Sequence, residues 1–357
     1  MKYNSNVLSL KIPNSLLDYK LLYFDIFLKN YELFLIVPVY NSDVNFIKKI
    51  KIISNGVNLT LKRKLLKINL EPIIILVYSF NSDNNNIILK YDNIVKHYNL
   101  EHIKTTKIYK LTLTTLFLDD YYLFNTFYNY YKNQGVEHFY MYYNNKIDEN
   151  VKNYFKGKND VTLIEWNFKY WNDELCGHTF KHHAQIGQIH HAIHKYGKDI
   201  SEYMIFCDLD EFMFCPYTKL INKINSKYNS YVFYNIHSES LDNSKLVDLP
   251  NRFRIGNKYL TYCTKCIHKL DSIDTICIHF RSYFMLYIIT KLYLFRDYNN
   301  YLFHFYSIGS KNKRKFKCDN VIDITLMKQH DKNDYFFNNT NFIIIFFSFL
   351  IYFLIFI

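Results

Sequence analysis

Three acidic side chains follow an apolar run in the stretch YMIFCDLDEFMF, residues 203–214. Asp208 and Asp210 are separated by one residue, and Glu211 follows directly. If the stretch is a buried strand, side chains two residues apart point to the same face, so the aspartates converge while Leu209 packs into the core. Buried carboxylates are costly unless a cation balances them. The spacing therefore indicates a site for Mg²⁺ or Mn²⁺, with coordination positions left for substrate phosphate oxygens.

The acidic pattern has other interpretations. A bare D-x-D also occurs where a strand ends in a solvated acidic turn. An apolar strand ending in D-x-D also begins haloacid-dehalogenase-type phosphatases, in which the first aspartate is the nucleophile. Those enzymes place Thr or Val two residues beyond the second aspartate, where this chain has Phe212. Their motif also opens the catalytic domain, whereas three predicted strands precede it here.

Predicted strands and helices alternate from residue 107 onwards and must position these acids. The predicted strands occupy 107–117, 136–145, 161–168 and 203–214, and the predicted helices occupy 120–135, 148–158 and 181–197. Weaker strand signals follow at 230–240 and 275–280. The alternation predicts an α/β fold with a Rossmann-like, mostly parallel sheet and helices on both faces. Ligands of such sheets bind beyond the carboxyl ends of the strands, where Asp208 and Asp210 lie.

Composition divides the chain into four segments. Residues 1–104 alternate apolar runs with Asn-, Ser- and Asp-rich turns, which predicts a small β-rich N-terminal region without a catalytic cluster. Residues 105–317 are the α/β domain, 318–341 a polar linker and 342–357 an apolar tail. The tail has no charged residue but is shorter than the roughly 20 residues that span a bilayer. A membrane anchor, a shallow insertion and a low-complexity end all stay open.

The formal net charge of +12 could attract nucleic acid, anionic membrane or a phosphorylated ligand. No Arg-rich run, RNA-binding aromatic motif or helix-turn-helix pattern is present, so nucleic acid is not expected as a partner. The first 15 residues contain no continuous apolar segment and do not read as a signal peptide. We therefore expect either membrane association through the tail or a cytoplasmic location.

Four motifs around the acidic stretch resemble glycosyltransferase family 92 and its bacterial and viral relatives. They are KLTLTTLFLDD (110–120), NQGVEHFYMYYNN (133–145), QIGQIHHAI (185–193) and IFCDLDEF (205–212). A looser similarity continues in TKCIHKLDSIDTICIHF (264–280) and HFYSIGSKNKRKF (304–316). The resemblance covers residues 107–317.

The resemblance implies a GT-A fold, and residues 105–317 would be the glycosyltransferase domain. It also implies transfer of a galactose-like hexose from a UDP-sugar to a glycan or other hydroxyl acceptor, with Mn²⁺ or Mg²⁺ and inversion at the anomeric carbon. Matched position by position, Asp208 and Asp210 would bind the metal and Glu211 would support them or position donor hydroxyls. His304 or His279 would complete the metal shell, and the HF…S context favours His304.

Other matched residues would contact the donor. Lys265 could reach the diphosphate, and Gln185 would line the same cleft. Asp119 or Asp120 occupies the place after the first strand where an acidic residue of the family contacts the donor.

An inverting transfer also needs a carboxylate base, for which Glu239 is the candidate. The surrounding YNIHSESL (234–241) lacks the glycines of the family's acceptor-region loop. A catalytically degenerate, membrane-associated protein that only binds therefore stays open as the alternative.

Two further patterns could bind ligands. His190 and His194 are four residues apart on a predicted helix, a spacing that can bind zinc, but the HExxH glutamate is missing, which favours a structural role. Trp166 and Trp171 could stack on a sugar ring, although core packing is the expected role of Trp166.

Overall fold

The structure of the protein is a computed structural model. It describes residues 2–4, 8–10, 20–39, 44–67, 73–81, 85–103, 108–172, 183–225, 227–241, 252–256, 260–279, 294–305, 318 and 320–323. Within these ranges no helix is long and apolar enough to cross a membrane. The apolar tail 342–357 lies outside them, as does most of the predicted linker.

The first hundred residues are built mainly from strands. These are β1 (Lys2–Asn4), β2 (Leu8–Leu10), β3 (Lys20–Tyr23), β4 (Asp25–Lys29), β5 (Glu32–Pro38), β6 (Lys51–Ser54), β7 (Val57–Asn58), β8 (Leu61–Lys67), β9 (Ile73–Ser79), β10 (Asn86–Tyr91), β11 (Ile94–Asn99) and β12 (His102–Ile103). A 3₁₀ helix covers Val44–Lys49.

Strands β4, β5, β8, β9 and β12 form a five-stranded sheet in the order β12-β4-β5-β9-β8. A second sheet has the order β11-β10-β6-β7, and β2 pairs with β3. Both faces of β4, β5 and β9 are buried, which matches the unbroken apolar runs of their sequences.

Strands and helices alternate from residue 109 to residue 206, and strands predominate afterwards. The elements are β13 (Tyr109–Phe117), α1 (Phe124–Asn133), β14 (His138–Tyr143), α2 (Glu149–Phe155), β15 (Val161–Glu165), α3 (His183–His191), β16 (Ser201–Phe206), β17 (Glu211–Phe214), α4 (Leu220–Lys223), β18 (Ser230–Glu239), β19 (Arg252–Ile255), β20 (Leu260–Lys269), β21 (Leu294–His304) and β22 (Asn320–Asp323). A π-helix, Ala192–Gly197, continues α3.

The central sheet is mixed. Its order is β1-β15-β14-β13-β16-β20-β18-β19-β22, with β21 beside β18 and β17 beside β21. Pairings from β1 to β16 are parallel. Beyond β16 the pairings are antiparallel, except that β18 and β21 pair in parallel. The expectation of a mostly parallel sheet therefore holds for one half only. Among the described residues, helical crossovers join successive parallel strands only as far as β16.

A predicted strand at 275–280 is wrong, because residues 273–279 contain no strand. The strand of this part of the chain is β20, which comes earlier, and a 3₁₀ turn at Leu270–Ser272 ends it. The apolar residues Ile276, Cys277 and Ile278 are buried without joining the sheet.

Helices cover both faces of the parallel half. Alternate residues of β14 divide between the faces, as the two-residue period of a strand requires. Phe139, Met141 and Tyr143 share a core with α1 and α2, while Tyr140 and Tyr142 share a core with α3 and with the N-terminal strands.

Local signals set the helix ends. Asp148 caps α2, because its side chain accepts a hydrogen bond from the Val151 N–H at 2.9 Å. Helix α1 is followed by Gly135, which has a φ of +94° and approaches Ile221 so closely that a Cβ would lie 2.4 Å from its side chain. The turn into β14 therefore requires glycine.

Candidate active site

The acidic residues lie in a turn that joins β16 to β17. Strand β16 ends at Phe206, and the Glu211 N–H donates to the Asp208 carbonyl at 3.1 Å, which closes the turn. The expectation that Asp208 and Asp210 share one face of a continuous strand is therefore wrong. Leu209 is buried, as expected, and the turn stands at the carboxyl end of the parallel strands.

Asp208 is held by a cation and an amide. Lys265 Nζ lies 2.9 Å from its Oδ2, and Gln185 Nε2 donates to its Oδ1 at 3.2 Å. Burial would raise the pKa of Asp208, but Lys265, with smaller contributions from His304 and His279, more than offsets this, so the pKa lies below its usual range. Burial likewise lowers the pKa of Lys265, yet Asp208 and Glu211 together raise it well above its ordinary value.

Glu211 stabilises the turn by contacting its backbone and Lys265. Its Oε2 accepts the Asp208 N–H at 2.8 Å and lies 3.2 Å from Lys265 Nζ. Its Oε1 lies 3.5 Å from His304 Nδ1. The side chain is buried, and burial is the main cause that raises its pKa. Glu211 therefore links the turn to Lys265 and to His304.

His304 ends β21, opposite Glu211 in the β17–β21 pair. Its Nε2 lies 3.4 Å from Asp210 Oδ2, and its Nδ1 lies 3.0 Å from Asn235 Nδ2. Burial lowers the pKa of His304, but Asp210 and Glu211 raise it more, so the net shift is upward. The structure thus places His304 directly against the second aspartate.

Asp120 follows the end of β13 and is the third aspartate of the site. Asp120, Asp208 and Asp210 together form the acidic group. Burial and then the charge of Asp210 raise its pKa to about 7, and Asp208 contributes less. The neighbouring Asp119 is exposed. Of the two candidates at this position, Asp120 is therefore the one that faces the turn.

A model of glycosyltransferase family 92 matches residues 112–340, more than half of the chain. The chain belongs to glycosyltransferase family 92. The resemblance carried by the motifs is confirmed, and a comparison with curated proteins finds no match. Membership indicates glycosyltransferase activity in general, with a sugar donor and a glycan acceptor. It gives no support to the phosphatase interpretation.

The side-chain atoms of the acidic group and of His304 are suitable ligands for a hard divalent ion. Asp120, Asp208 and Asp210 offer carboxylate oxygens and His304 offers an imidazole nitrogen, a set that Mn²⁺ accepts. As placed, however, no group of three or more His, Cys, Asp or Glu side chains among the described residues is arranged to hold a metal ion. The residues of this family 92 protein therefore fit such an ion in kind, and their side chains would have to converge on it.

Two predicted residues of the family 92 site lie farther out. His279 is half-buried and helps to lower the pKa of Asp208 through its charge, but it is not the histidine that contacts Asp210. Glu239 ends β18 and pairs in register with Arg254. Within the described residues, no hydrogen bond or ion pair joins Glu239 to Asp208, Asp210 or His304.

Sequence reasoning missed Asn235 and Tyr170. Asn235, His237 and Glu239 alternate along β18, so they share the face on which His237 lies opposite His304. This two-residue period was a signal in the sequence. Tyr170, whose hydroxyl donates to Gln185 Oε1 at 3.0 Å, precedes α3 in an irregular segment and gave no such signal.

The paired histidines of α3 and the π-helix have structural partners. His190 Nδ1 lies 2.8 Å from the Ile186 carbonyl, and its Nε2 accepts the Ile276 N–H at 3.2 Å. His194 Nε2 lies 2.8 Å from the Asp274 carbonyl. These contacts support the structural interpretation over zinc binding.

The two tryptophans differ. Trp166 is fully buried and its Nε1 donates to the Ala184 carbonyl at 2.9 Å, as expected for a core residue. Trp171 is 55% exposed and lies edge-on to Tyr170, with ring centroids 5.4 Å apart. Because Tyr170 contacts Gln185, the exposed indole lies near the acidic turn.

Proposed function

We propose that this family 92 protein transfers a galactose-like hexose from a UDP-sugar to a hydroxyl of a glycan acceptor, with inversion and with Mn²⁺ or Mg²⁺ at the β16–β17 turn. One observation carries the proposal. Asp120, Asp208 and Asp210 come from two neighbouring strand ends, and burial followed by the charge of Asp210 raises the pKa of Asp120 to about 7. Such crowded carboxylates call for a cation.

A GT-A fold is part of the proposal. It is supported by the strand order β15-β14-β13-β16-β20-β18, in which the parallel and antiparallel halves meet at β16. The acidic turn follows that strand. Open α/β sheets bind ligands at such a place, beyond the carboxyl ends of their strands.

The residues of the site would have different roles in binding the metal ion and the sugar donor. Asp208, Asp210 and His304 would hold the ion, with Asp120 facing it from β13. When bound, the ion would neutralise negative charge that develops on the nucleotide leaving group. Lys265 and Gln185 would keep Asp208 ionised and fixed, and each of its oxygens retains a lone pair beyond its present hydrogen bond. Lys265 would also lie near the donor diphosphate.

Glu239 would be the base that accepts the acceptor hydroxyl proton. It shares the face of β18 that carries Asn235 and His237, which leads towards His304. An acceptor bound along this face would bring its hydroxyl between Glu239 and the donor. The separation of Glu239 from the acidic group also favours a second candidate, a member of the family that binds the donor without transferring it.

Thermal shift with UDP-sugars, with and without Mn²⁺, tests the proposal. We expect UDP-galactose or a related UDP-hexose to raise the Tm only when Mn²⁺ is present. Asp208→Asn and Asp210→Asn should abolish the effect, and the exposed Asp92→Asn should keep it as the matched control. If no UDP-sugar stabilises the protein with Mn²⁺, the proposal is wrong.

Product analysis separates the two candidates. A transferase releases UDP in the presence of acceptor, and Glu239→Gln should lower that rate about a hundredfold or more while donor affinity stays near wild type. A binding-only member shows the Mn²⁺-dependent thermal shift with UDP release at background.

We also propose that the apolar tail attaches the protein to membranes. Its sixteen uncharged residues, 342–357, support this, and the basic segment 310–318 before it suits anionic lipid. The 357-residue chain should float with anionic vesicles, and a chain that ends at residue 341 should not. Equal flotation of both would contradict the proposal.

A further inference from the structure

Strand β4 and the residue before it lie along α3 and its π-helical continuation. The Phe24 ring stacks on Trp166, with centroids 5.5 Å apart, and lies 4.9 Å from the His183 ring. It also lies so close to α3 that a Cβ on Gly187 would be 2.6 Å from its ring atoms. The contact therefore requires glycine in α3, and it fixes the distance between helix and strand.

A buried carboxylate strengthens this contact. Asp25 is fully buried, and its Oδ2 lies 2.8 Å from His191 Nε2 and 2.9 Å from Lys195 Nζ. His191 Nδ1 lies 2.8 Å from the Tyr142 hydroxyl of β14. A neutral imidazole satisfies both contacts, donating to Asp25 and accepting from Tyr142. His191 thus bridges the N-terminal strand and the central sheet.

A buried lysine holds the far end of the helix. Lys29, also in β4, donates from Nζ to the carbonyl of His194 at 3.1 Å and to the carbonyl of Lys198. The last carbonyls of a helix have no partner within it, so Lys29 satisfies groups that would otherwise be buried and unpaired. Asp25 contacts the side chains of His191 and Lys195, and Lys29 contacts the carbonyls at the end of the π-helix, so β4 contacts the helix at two places.

Another face of the helix contacts the acidic turn and β13. Gln185 Nε2 donates to Asp208 Oδ1 at 3.2 Å, and Gln188 Nε2 donates to Thr114 Oγ1 of β13 at 2.6 Å. The helix therefore contacts both the N-terminal strand and the acidic turn.

We propose that Asp25 and Lys29 are positioning residues for the donor site, acting through α3 to hold Gln185 against Asp208. The N-terminal strands would then be a working part of the active site, although the family match begins only at residue 112. The inference rests on the proposed function, because the site it serves is the one proposed to bind the UDP-sugar.

The test measures UDP affinity by calorimetry in Mn²⁺ for the 357-residue chain. Asp25→Asn and Lys29→Met should each weaken UDP binding about threefold or more, and Asp92→Asn, an exposed carboxylate of the same region, should not. In a Gln185→Ala background the same two substitutions should cause no further weakening, because the residue through which they act is already gone. A residue with a merely structural role would weaken binding equally in both backgrounds.

Two results would overturn the proposal. One is a folded Asp25→Asn protein with wild-type UDP affinity, and the other is weakening that adds fully to that of Gln185→Ala. If Asp25→Asn does not fold, Gly187→Ala replaces it, since the added Cβ must push α3 away from Phe24. Its effect on UDP affinity should then be reversed by Phe24→Leu, and failure of that rescue counts against the proposal.

Hydrogen exchange separates failure of this inference from failure of the proposed function. Amides of residues 203–214 should exchange faster in Asp25→Asn and in Gln185→Ala than in the wild type, with no ligand present. If the wild type binds no UDP, the proposed function is wrong while exchange still tests the positioning role. If UDP binds normally and exchange at 203–214 is unchanged by Asp25→Asn, the positioning role is wrong and the proposed function stands.

Discussion

Replacing Lys265 by methionine should strongly destabilise the protein. Lys265 is only 2% exposed and contacts both Asp208 and Glu211. Methionine fills similar space but removes the charge, so two carboxylates lose the cation that balances them. Removing one partner of a buried ion pair costs about 3–5 kcal/mol.

The lower end of that range applies here. The Asp208 side chain is 36% exposed, so water can solvate it once Lys265 is gone, whereas Glu211 is 1% exposed and stays buried. We therefore expect a loss of about 3 kcal/mol in the free energy of unfolding. For a chain of 357 residues, whose unfolding entropy scales with its length, that corresponds to a fall in Tm of roughly 4 °C.

Urea unfolding at pH 7 without ligand measures the loss. Lys49→Met is the matched control, because Lys49 is 54% exposed and pairs with the equally exposed Asp92. An exposed pair is worth at most about 1 kcal/mol. The double variant Lys265→Met, Glu211→Gln should recover most of the loss, since it removes the charge that cannot reach water.

This prediction is wrong if Lys265→Met lowers the free energy of unfolding no more than Lys49→Met does. It also fails if the added Glu211→Gln makes the protein less stable still. In either case Lys265 would not balance the charge of Glu211, and Lys265 would not be a stabilising residue of the acidic turn.

Three further predictions follow from the geometry. Asp120→Asn should weaken Mn²⁺-dependent UDP binding about tenfold in calorimetry, because its carboxylate faces the turn, while the exposed Asp119→Asn should change it less than twofold. Burial lowers the pKa of His191 to about 4, below the roughly 6.5 of an unfolded chain, so this group should remove about 2 kcal/mol of stability between pH 7 and pH 5. Urea unfolding at both pH values should show that slope reduced in His191→Gln, and an unchanged slope would contradict the assignment. In a Trp166→Phe variant, Trp171 is the sole tryptophan of the chain, and its emission should shift when UDP-sugar binds with Mn²⁺; constant emission at saturating donor would place the ligand away from it.

The sequence predicts the parallel half of the sheet well because its signals are local. Each strand from β13 to β16 is an apolar run, and each intervening helix has its own period and its own stop signal. The other half, which is mainly antiparallel, is harder to predict, since strands that are not joined by long helices leave their pairing partners unspecified. Residues 275–280 show the difficulty, because a short apolar run is equally suited to a strand and to a buried irregular segment.

The residues of the site also differ in how well the sequence predicts them. Asp208, Asp210 and Glu211 stand together in the sequence, so their pattern exposes them, although it does not reveal that they form a turn. Choosing Asp120 over Asp119 requires the direction of one side chain at a strand end, which a run of two aspartates cannot give.

Asp25 marks the limit of what a sequence pattern can reveal. It stands between apolar residues in a strand outside the family match, where an isolated acid would be expected to point to solvent. Its partners His191 and Lys195 are more than 160 residues away and become its neighbours only when β4 packs against α3. A fully buried charge at such a contact needs paired donors, which His191 and Lys195 supply. Through Asp25 the N-terminal strands and the helix beside the acidic turn therefore pack as one unit.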